Sequence, residues 1–541
     1  MAAEAENQIT AKERYAQLER DRNVVLDRAQ RAAKLTIPSL LPEDGHGETS
    51  ELPQPYQSMG ARGLNNLASK LLTSLVPPNS PFFNMTIDEQ TLSELEQQAG
   101  QDRNLRGEVM KALSSIEQTV MTVIEQRAIR VSVFEALKQL LVAGNVLLFI
   151  PPGLRSRVRV YHLNRFVTKR DPMGNILEII VKENVSPSAL PDRVRELLDE
   201  SESYQGENGK PVEKTKELYT YIYRYTDGNN KQKFKVYQEI DGKKVPKSEG
   251  TYKPENLPWL PLRYTSIDGE DYGRGFIEEY EGDLHSLEEL TRAIVEGSAA
   301  ASKVVFLVSP NGTTRKKDIA EAPNGAVRDG LEEDVSTLQM EKYGDFRTAQ
   351  ETLNDLKERL SFAFLLNTSI QRDAERVTAT EVRFMAQELE NALGGLYSIL
   401  SQEFQLPLVK VIISQLNKAG QLPNFPQDKV QPQIVTGLEA LGRGNDLQNL
   451  DTFIAGLADA FGPEATAQYI NVDEYLARRA AALGIDADGL VKSRQQIADE
   501  SRRSQMRQMI DQMGPNAVDQ MGQAMQKQME QDNGSGQEQS A

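Results

Sequence analysis

Cysteine is absent from all 541 residues. Disulfide stapling, thiolate catalysis and cysteine-ligated zinc are excluded with it. A reducing compartment or a virus particle is expected, not a disulfide-built secreted protein. Histidine is almost as scarce, with only His46, His162 and His285. None stands in HExxH spacing or beside a plausible carboxylate triad. His285 falls in an acidic helical stretch and reads as a surface or interface residue. There is no GxxxxGK[ST] phosphate loop, and Asn208-Gly209-Lys210 and Gly242-Lys243 lie in polar loops without strand–glycine–helix context. Gly273-Arg274-Gly275 and Gly442-Arg443-Gly444 read as turns or helix boundaries. The longest apolar run, Leu140 to Pro152, is too short to span a bilayer and reads as a buried strand. Met1 to Thr10 is polar and acidic, so no secretory leader is expected, and the chain is expected to be soluble. Positive charge is in deficit: 62 Lys and Arg against 79 Asp and Glu leave a net charge of -17. A nucleic-acid binder ordinarily presents a basic face to the phosphates. This chain either never touches nucleic acid or lets it pass without gripping it. The residues propose no enzyme, no cofactor and no metal.

What is present suggests a mainly α protein with a β-rich middle, an α+β class. The length implies two to four domains. Residues 10–41 read as a helix ended by Pro38, and Tyr56 to Leu75 as another, with Leu64, Leu67, Leu71 and Leu75 at helical spacing. Residues 88–142 read as one or two helices, interrupted near Gly107. Val146 to Ile150, Val158 to Tyr161 and Ile176 to Lys182 are β-branched runs, hence strands. A polar loop spans 184–216. Leu218 to Thr226 and Lys233 to Ile240 read as a hairpin turned by Asp227-Gly228-Asn229-Asn230, with Tyr219, Tyr221, Tyr223 and Tyr225 on one face. From Gly275 the pattern is helical again. Phe276, Tyr280, Leu284, Leu287 and Ile294 form an apolar stripe. Glu278, Glu281, Asp283, Glu288, Glu289 and Glu296 form an acidic outer face, solvated or lining a channel. A strand at 303–308 opens a compact polar insert reaching about Asp345. A second helix at about 346–370 carries Leu353, Leu356, Leu360 and Phe364. Residues 371–377 are a charged interruption, and Thr378 to Lys418 is a long helix softened by Gly394-Gly395 and Pro407. The final third reads as helical. Six of the 14 methionines, at 506, 509, 513, 521, 525 and 529, fall on one helix stripe, which is ordinarily a packing seam. Residues 531–541 read as a disordered tail.

These blocks resemble a known family. Asp271-Tyr272-Gly273-Arg274-Gly275, with Glu278-Glu279-Tyr280 and Gly282-Asp283-Leu284, is similar to the stem-helix signature of portal proteins, the head-to-tail connectors of short-tailed, autographivirus-like podophages. Glu375 to Glu381, Gln387 to Glu390 and Leu393 to Glu403 resemble the same family. So do Leu35 to Pro42, Gly60 to Gly63, Asn65 to Leu71, Pro77 to Phe83 and Thr436 to Gly444. The blocks keep one order over roughly residues 15–490; the loop at 184–216 and the Met/Gln tail match nothing in the family.

The resemblance implies the portal fold, with wing, stem, clip and crown regions. It implies a ring, usually of twelve subunits, at one capsid vertex. Double-stranded DNA is packaged through the ring by the terminase motor, which supplies the ATP chemistry, and is later ejected by the same route after the tail attaches. The implied partners are further copies of the chain, the terminase large subunit, a tail adaptor, major capsid and scaffolding proteins and internal core proteins. The implied location is the virion, with host cytoplasm during assembly and no membrane. Residues 1–270 would be N-terminal helices and wing, 271–303 the first stem helix, 304–345 the clip and 346–370 the second stem helix. Residues 371–377 would be the tunnel loop, 378–434 a kinked wing helix, 435–500 the crown and 501–541 a C-terminal helix, a candidate barrel, with its tail. Arg372, Glu375 and Arg376 would lie in the tunnel loop. There the arginines either touch phosphates or pair with Asp373 and Glu375. Arg315, Lys316 and Lys317 would sit in the clip, as a solvated cluster or a contact with motor, tail or DNA. An inward acidic surface would let a duplex slide without deep wells. A non-catalytic scaffolding or internal virion protein is the competing class, though it does not account for the helix–insert–helix plan. A carboxylate nuclease would need a compact convergent site.

Overall fold

The computed structural model describes residues 9–43, 51–78, 81–88, 105–153, 156–195, 203–205, 211–213, 215–301, 305–338, 343–366, 399–422, 430–434 and 442–462, with a few positions beyond. The chain forms two compact units, Met1–Leu441 and Gly442–Ala541.

In the first unit, helix α1 runs Ala11–Lys34. Thr10 accepts from the Glu13 amide while the Glu13 carboxylate accepts from the Thr10 amide, a reciprocal cap. Its buried face carries Tyr15, Leu18, Leu26, Ala29 and Ala33. Helix α2, Met59–Leu75, buries the expected leucine stripe. It starts later than Tyr56 because the amides of Tyr56 and Gln57 donate to the Glu288 carboxylate instead.

Helices α3, Leu105–Gln126, and α4, Ile129–Ala143, break at Arg127-Ala128, a break the local pattern did not suggest; Gly107 lies in the first turn of α3, and residues 89–104 before it lie outside the described residues. Ala128 adopts φ 49. The neighbouring Arg127 side chain donates to the carbonyls of Ser156 and Pro151 and to Gln415. Those partners come from distant segments and are invisible to local spacing. The run Leu140 to Pro152 also divides. Its first residues finish α4, Gly144 caps the helix at φ 69, and only Asn145–Phe149 is strand. The Gly144 N–H donates to the Leu140 carbonyl at 2.9 Å, a left-handed cap that glycine adopts without penalty.

Strand β1 is Phe83–Ile87 and β2 is Asn145–Phe149. Strand β3, Arg159–Tyr161, follows. Next come β4, Phe166–Arg170, which local pattern did not suggest, and β5, Ile176–Val185. Strands β6, Lys216–Thr226, and β7, Gln232–Ile240, form the expected hairpin. An antiparallel sheet orders β7, β6, β5 and β4, extended beyond β7 by Lys243–Lys244 and Gly250–Tyr252. The polar stretch at 184–216 holds a further small strand pair, Ser203–Gln205 with Pro211–Glu213. Strand β8, Trp259–Arg263, pairs with β2, and β2 with β3. Tyr15 of α1 meets Tyr219 edge-on at 5.5 Å, so α1 covers the tyrosine face of the large sheet.

Beyond the sheets, a π-helical turn at Ser401–Gln405 leads into an α-helix at Leu406–Lys418. Helices therefore bracket a β-rich middle, an α+β arrangement. In the second unit, helix Gly442–Phe461 is described; there the Tyr475 hydroxyl donates to Asp451 and accepts from Arg479. The methionine stripe, the tail and Gly394-Gly395 lie outside the described residues. No described helix is long and apolar enough to cross a membrane.

Candidate functional site

The acidic segment from Gly275 onward folds as a helical hairpin carrying an insert. Helix α5, Phe276–Glu279, and helix α6, Glu281–Ala301, form the first arm. Strands β9, Val305–Val308, and β10, Val335–Leu338, pair antiparallel within the insert. Helix α7, Tyr343–Ala363, is the returning arm. Phe346, early in α7, packs on Gly297, late in α6. Arg359, late in α7, pairs with Asp283, early in α6, at 3.5 Å. The two arms are thus antiparallel. Leu284 and Leu287 of α6 and Leu353, Leu356 and Leu360 of α7 are all buried, so each apolar stripe faces the core.

The root of the hairpin is pinned residue by residue. Asp271 accepts from the Arg170 amide at 2.7 Å and from Lys169 Nζ at 2.8 Å. The Tyr272 hydroxyl accepts from the Thr168 amide, and burial pushes its pKa up. The Asn145 side chain accepts from the Gly273 amide at 2.8 Å and donates to its carbonyl at 2.9 Å. Arg274 donates to Glu270 and Glu278, and its guanidinium holds the Glu270 carboxyl below the usual range. Gly275 caps α5 in extended conformation. The glycine–arginine–glycine stretch is thus a helix boundary; Asp271 and Tyr272 before it tie the edge strand β4, and Gly273 ties strand β2, to the first arm. Behind it, Arg170 donates to the carbonyls of Gly174 and Pro261. Burial first, and then the nearby Arg263, lower its pKa to about 10.

A family model described as "Bacteriophage head to tail connecting protein" matches residues 8–491. The chain belongs to the bacteriophage head-to-tail connector family. Among curated relatives, the portal protein of Escherichia phage T7 is 42% identical, over 93% of this chain and 91% of that protein. The portal protein of Enterobacteria phage T3 is 41% identical over the same shares. That of Pseudomonas phage phiKMV is 30% identical over 88% of this chain and 91% of that protein. The virion of a native gene transfer agent particle is a solved structure with a TM-score of 0.32, at 13% identity over 79% of this chain and 90% of that chain.

In this connector chain the acidic residues of the first arm are mostly engaged. Glu278 pairs with Arg28 and Arg274, and Glu281 with Arg31. Asp283 pairs with Arg359, Glu288 receives the Tyr56 and Gln57 amides, and Glu296 receives Arg292 and the Tyr56 hydroxyl. Glu289 is exposed. The helix therefore uses much of its negative charge to hold α1 and the segment before α2. Arg315, Lys316 and Lys317 are exposed together at the start of a short helix, Lys316–Ala320, with Lys317 3.9 Å from Glu321. The insert is tied by Asp334, which accepts from the Thr314 amide and from both threonine hydroxyls of Thr313 and Thr314. Arg372, Glu375 and Arg376 lie outside the described residues. His162 is half-buried beside Asn164, and desolvation lowers its pKa. His285 is exposed. Among the described residues no group of three or more acidic or histidine side chains could hold a metal.

Sequence reasoning missed the anchoring residues Asn145, Lys169 and Arg170, which are remote from the glycine motif. It also missed Asn66 and Lys70 as individual actors, although both lie in a block that carries the family resemblance.

Proposed function

We propose that the chain is a portal subunit, a structural part of the virion at one capsid vertex. It forms a ring through which double-stranded DNA is packaged by a terminase motor and later ejected, and onto which the tail assembles. The observation that carries this reading is the 42% identity to the T7 portal protein across 93% of the chain. The helix–insert–helix hairpin supports it, because a rigid antiparallel pair on a pinned root is suited to lining a channel. In this reading 271–303 and the second arm, which ends at Ala363 and not near 370, form the stem, 304–345 the clip and 371–377 the tunnel loop. Residues 378–434 return to the wing and 435–500 make the crown. The ring, usually of twelve copies in such proteins, also meets capsid, scaffolding and internal core proteins. The chain itself hydrolyses nothing. Electron microscopy of the purified protein is expected to show rings with a central hole; monomers or irregular shells would sink the reading.

Two charge sites follow. Arg376, and with it Arg372, steadies the duplex in the channel, with Glu375 limiting the grip. Arg376→Glu is expected to cut the yield of filled heads by about tenfold, which corresponds to roughly 1.4 kcal/mol of added repulsion. Unchanged filling and ejection would remove the DNA-contact role. Arg315, Lys316 and Lys317 form the clip contact with the motor or tail adaptor. Reversing all three to Glu is expected to leave rings intact and to weaken terminase or adaptor binding by about tenfold or more at low salt, with the difference shrinking as salt rises. Equal binding by a pull-down titration would assign the cluster to solvent.

A further inference from the structure

Helix α7 ends on a leucine in a conformation that suits glycine. Leu365 has φ 53. The Leu366 N–H donates to the Ser361 carbonyl at 2.8 Å, and the Leu365 N–H to the Phe362 carbonyl at 3.1 Å. This closes a Schellman-type turn. A side chain in that region is strained, and such strain persists only where surrounding contacts over-determine it.

The contacts come from α2. Asn66 Nδ2 donates to the Phe364 carbonyl at 2.9 Å and to the Leu365 carbonyl at 3.1 Å. Lys70 Nζ donates to the same Leu365 carbonyl at 3.0 Å. These carbonyls stand just past the C-terminus of α7, beside the negative end of its dipole, where a lysine charge is favourable. One turn earlier, a Cβ on Gly63 would stand 2.3 Å from the Phe364 ring. Only glycine lets that ring lie against the helix. Phe364 is fully buried and also meets Phe276 at 5.8 Å and Tyr280 at 6.3 Å. Residues 63, 66 and 70 are spaced by three and four, so they share one face of α2. That face holds both the buried Phe364 ring and the two carbonyls that directly follow the helix.

We propose that Gly63, Asn66 and Lys70 are positioning residues that fix the direction in which the chain leaves α7. They thereby hold the end of α7 from which the chain runs on toward 371–377. The proposal rests on reading that segment as the tunnel loop. Thrust on the loop from moving DNA would then be borne by α2, not by the hairpin alone.

The test uses full-length rings. Because the chain has no cysteine, Val377→Cys carries a single spin label and leaves Arg376 intact. In an Asn66→Ala, Lys70→Met double variant, amide exchange at Leu365 and Leu366 is expected to rise at least tenfold, and the label to become more mobile. Exchange at Leu67 and Leu71 stays unchanged, and filled-head yield falls. Lys70→Arg keeps a donor and is expected to behave as wild type. If the double variant fails to form rings, Lys70→Met alone is measured by the same readouts. Unchanged exchange and label mobility overturn the proposal. So does raised exchange with normal filling in a phage whose filling responds to an Arg376 substitution, and there the tunnel-loop reading stands. If Arg376 variants fill normally, the tunnel-loop reading falls instead, and exchange and mobility decide the clamp.

Discussion

Gly275→Ala and Gly144→Ala are each expected to abolish ring formation. A Cβ on Gly275 would lie 2.6 Å from the Val142 carbonyl oxygen, which is backbone and cannot swing aside. A Cβ on Gly144 would lie 2.4 Å from the Arg274 carbonyl carbon, at a φ of 69 that side chains rarely adopt. The end of α4 and the start of the first arm meet backbone to backbone at these two glycines. Any side chain wedges them apart and strips Asn145 from the Gly273 backbone. Overpacking of this kind, with backbone strain added at Gly144, costs about 3 kcal/mol or more. Urea unfolding of purified protein measures the loss, and microscopy scores the rings. Gly282→Ala is the control, because nothing lies within 4 Å of its Cβ position. Glycine variants as stable as the control would show that the junction yields more easily than its geometry suggests.

Phe364→Ala is expected to destabilise the subunit by about 3–5 kcal/mol, the usual loss for a fully buried aromatic. The ring fills the space between α2, the start of the first arm and the end of the second. Its removal leaves a cavity that Gly63 cannot collapse into, since that residue has no side chain. Phe364→Leu should recover much of the loss, because it restores most of the volume. Thermal unfolding of the three proteins orders them wild type, leucine, alanine. An alanine variant within about 1 kcal/mol of wild type would contradict the packing described.

The sequence disclosed elements whose cause is local. The β6–β7 hairpin follows from period-two tyrosines and an Asp-Gly-Asn-Asn turn. The stripes Leu284, Leu287 and Leu353, Leu356, Leu360 follow from helical spacing. Features whose cause is remote were hidden. Nothing around Arg127 announces a helix break, because its partners are the carbonyls of Ser156 and Pro151 and the side chain of Gln415. The acidic arm reads locally as an uncommitted charged face because Arg28 and Arg31 lie about 250 residues earlier. Local pattern extends the second arm to about 370 because no glycine or proline marks its end. It stops at Ala363, and a left-handed leucine held by α2 supplies the stop.

Strand β1 has a consequence for how the subunit is made. Its partner is Val430–Ile434, with Phe83 opposite Ile434 and Ile87 opposite Val430. The ladder therefore closes a loop of most of the chain. Closing so long a loop is entropically costly and makes for slow folding. During synthesis the edge of β1 has no mate until residue 430 has been made, and an open edge invites pairing with another chain. The same delay keeps a polypeptide shorter than about residue 434 from presenting a complete first unit for assembly.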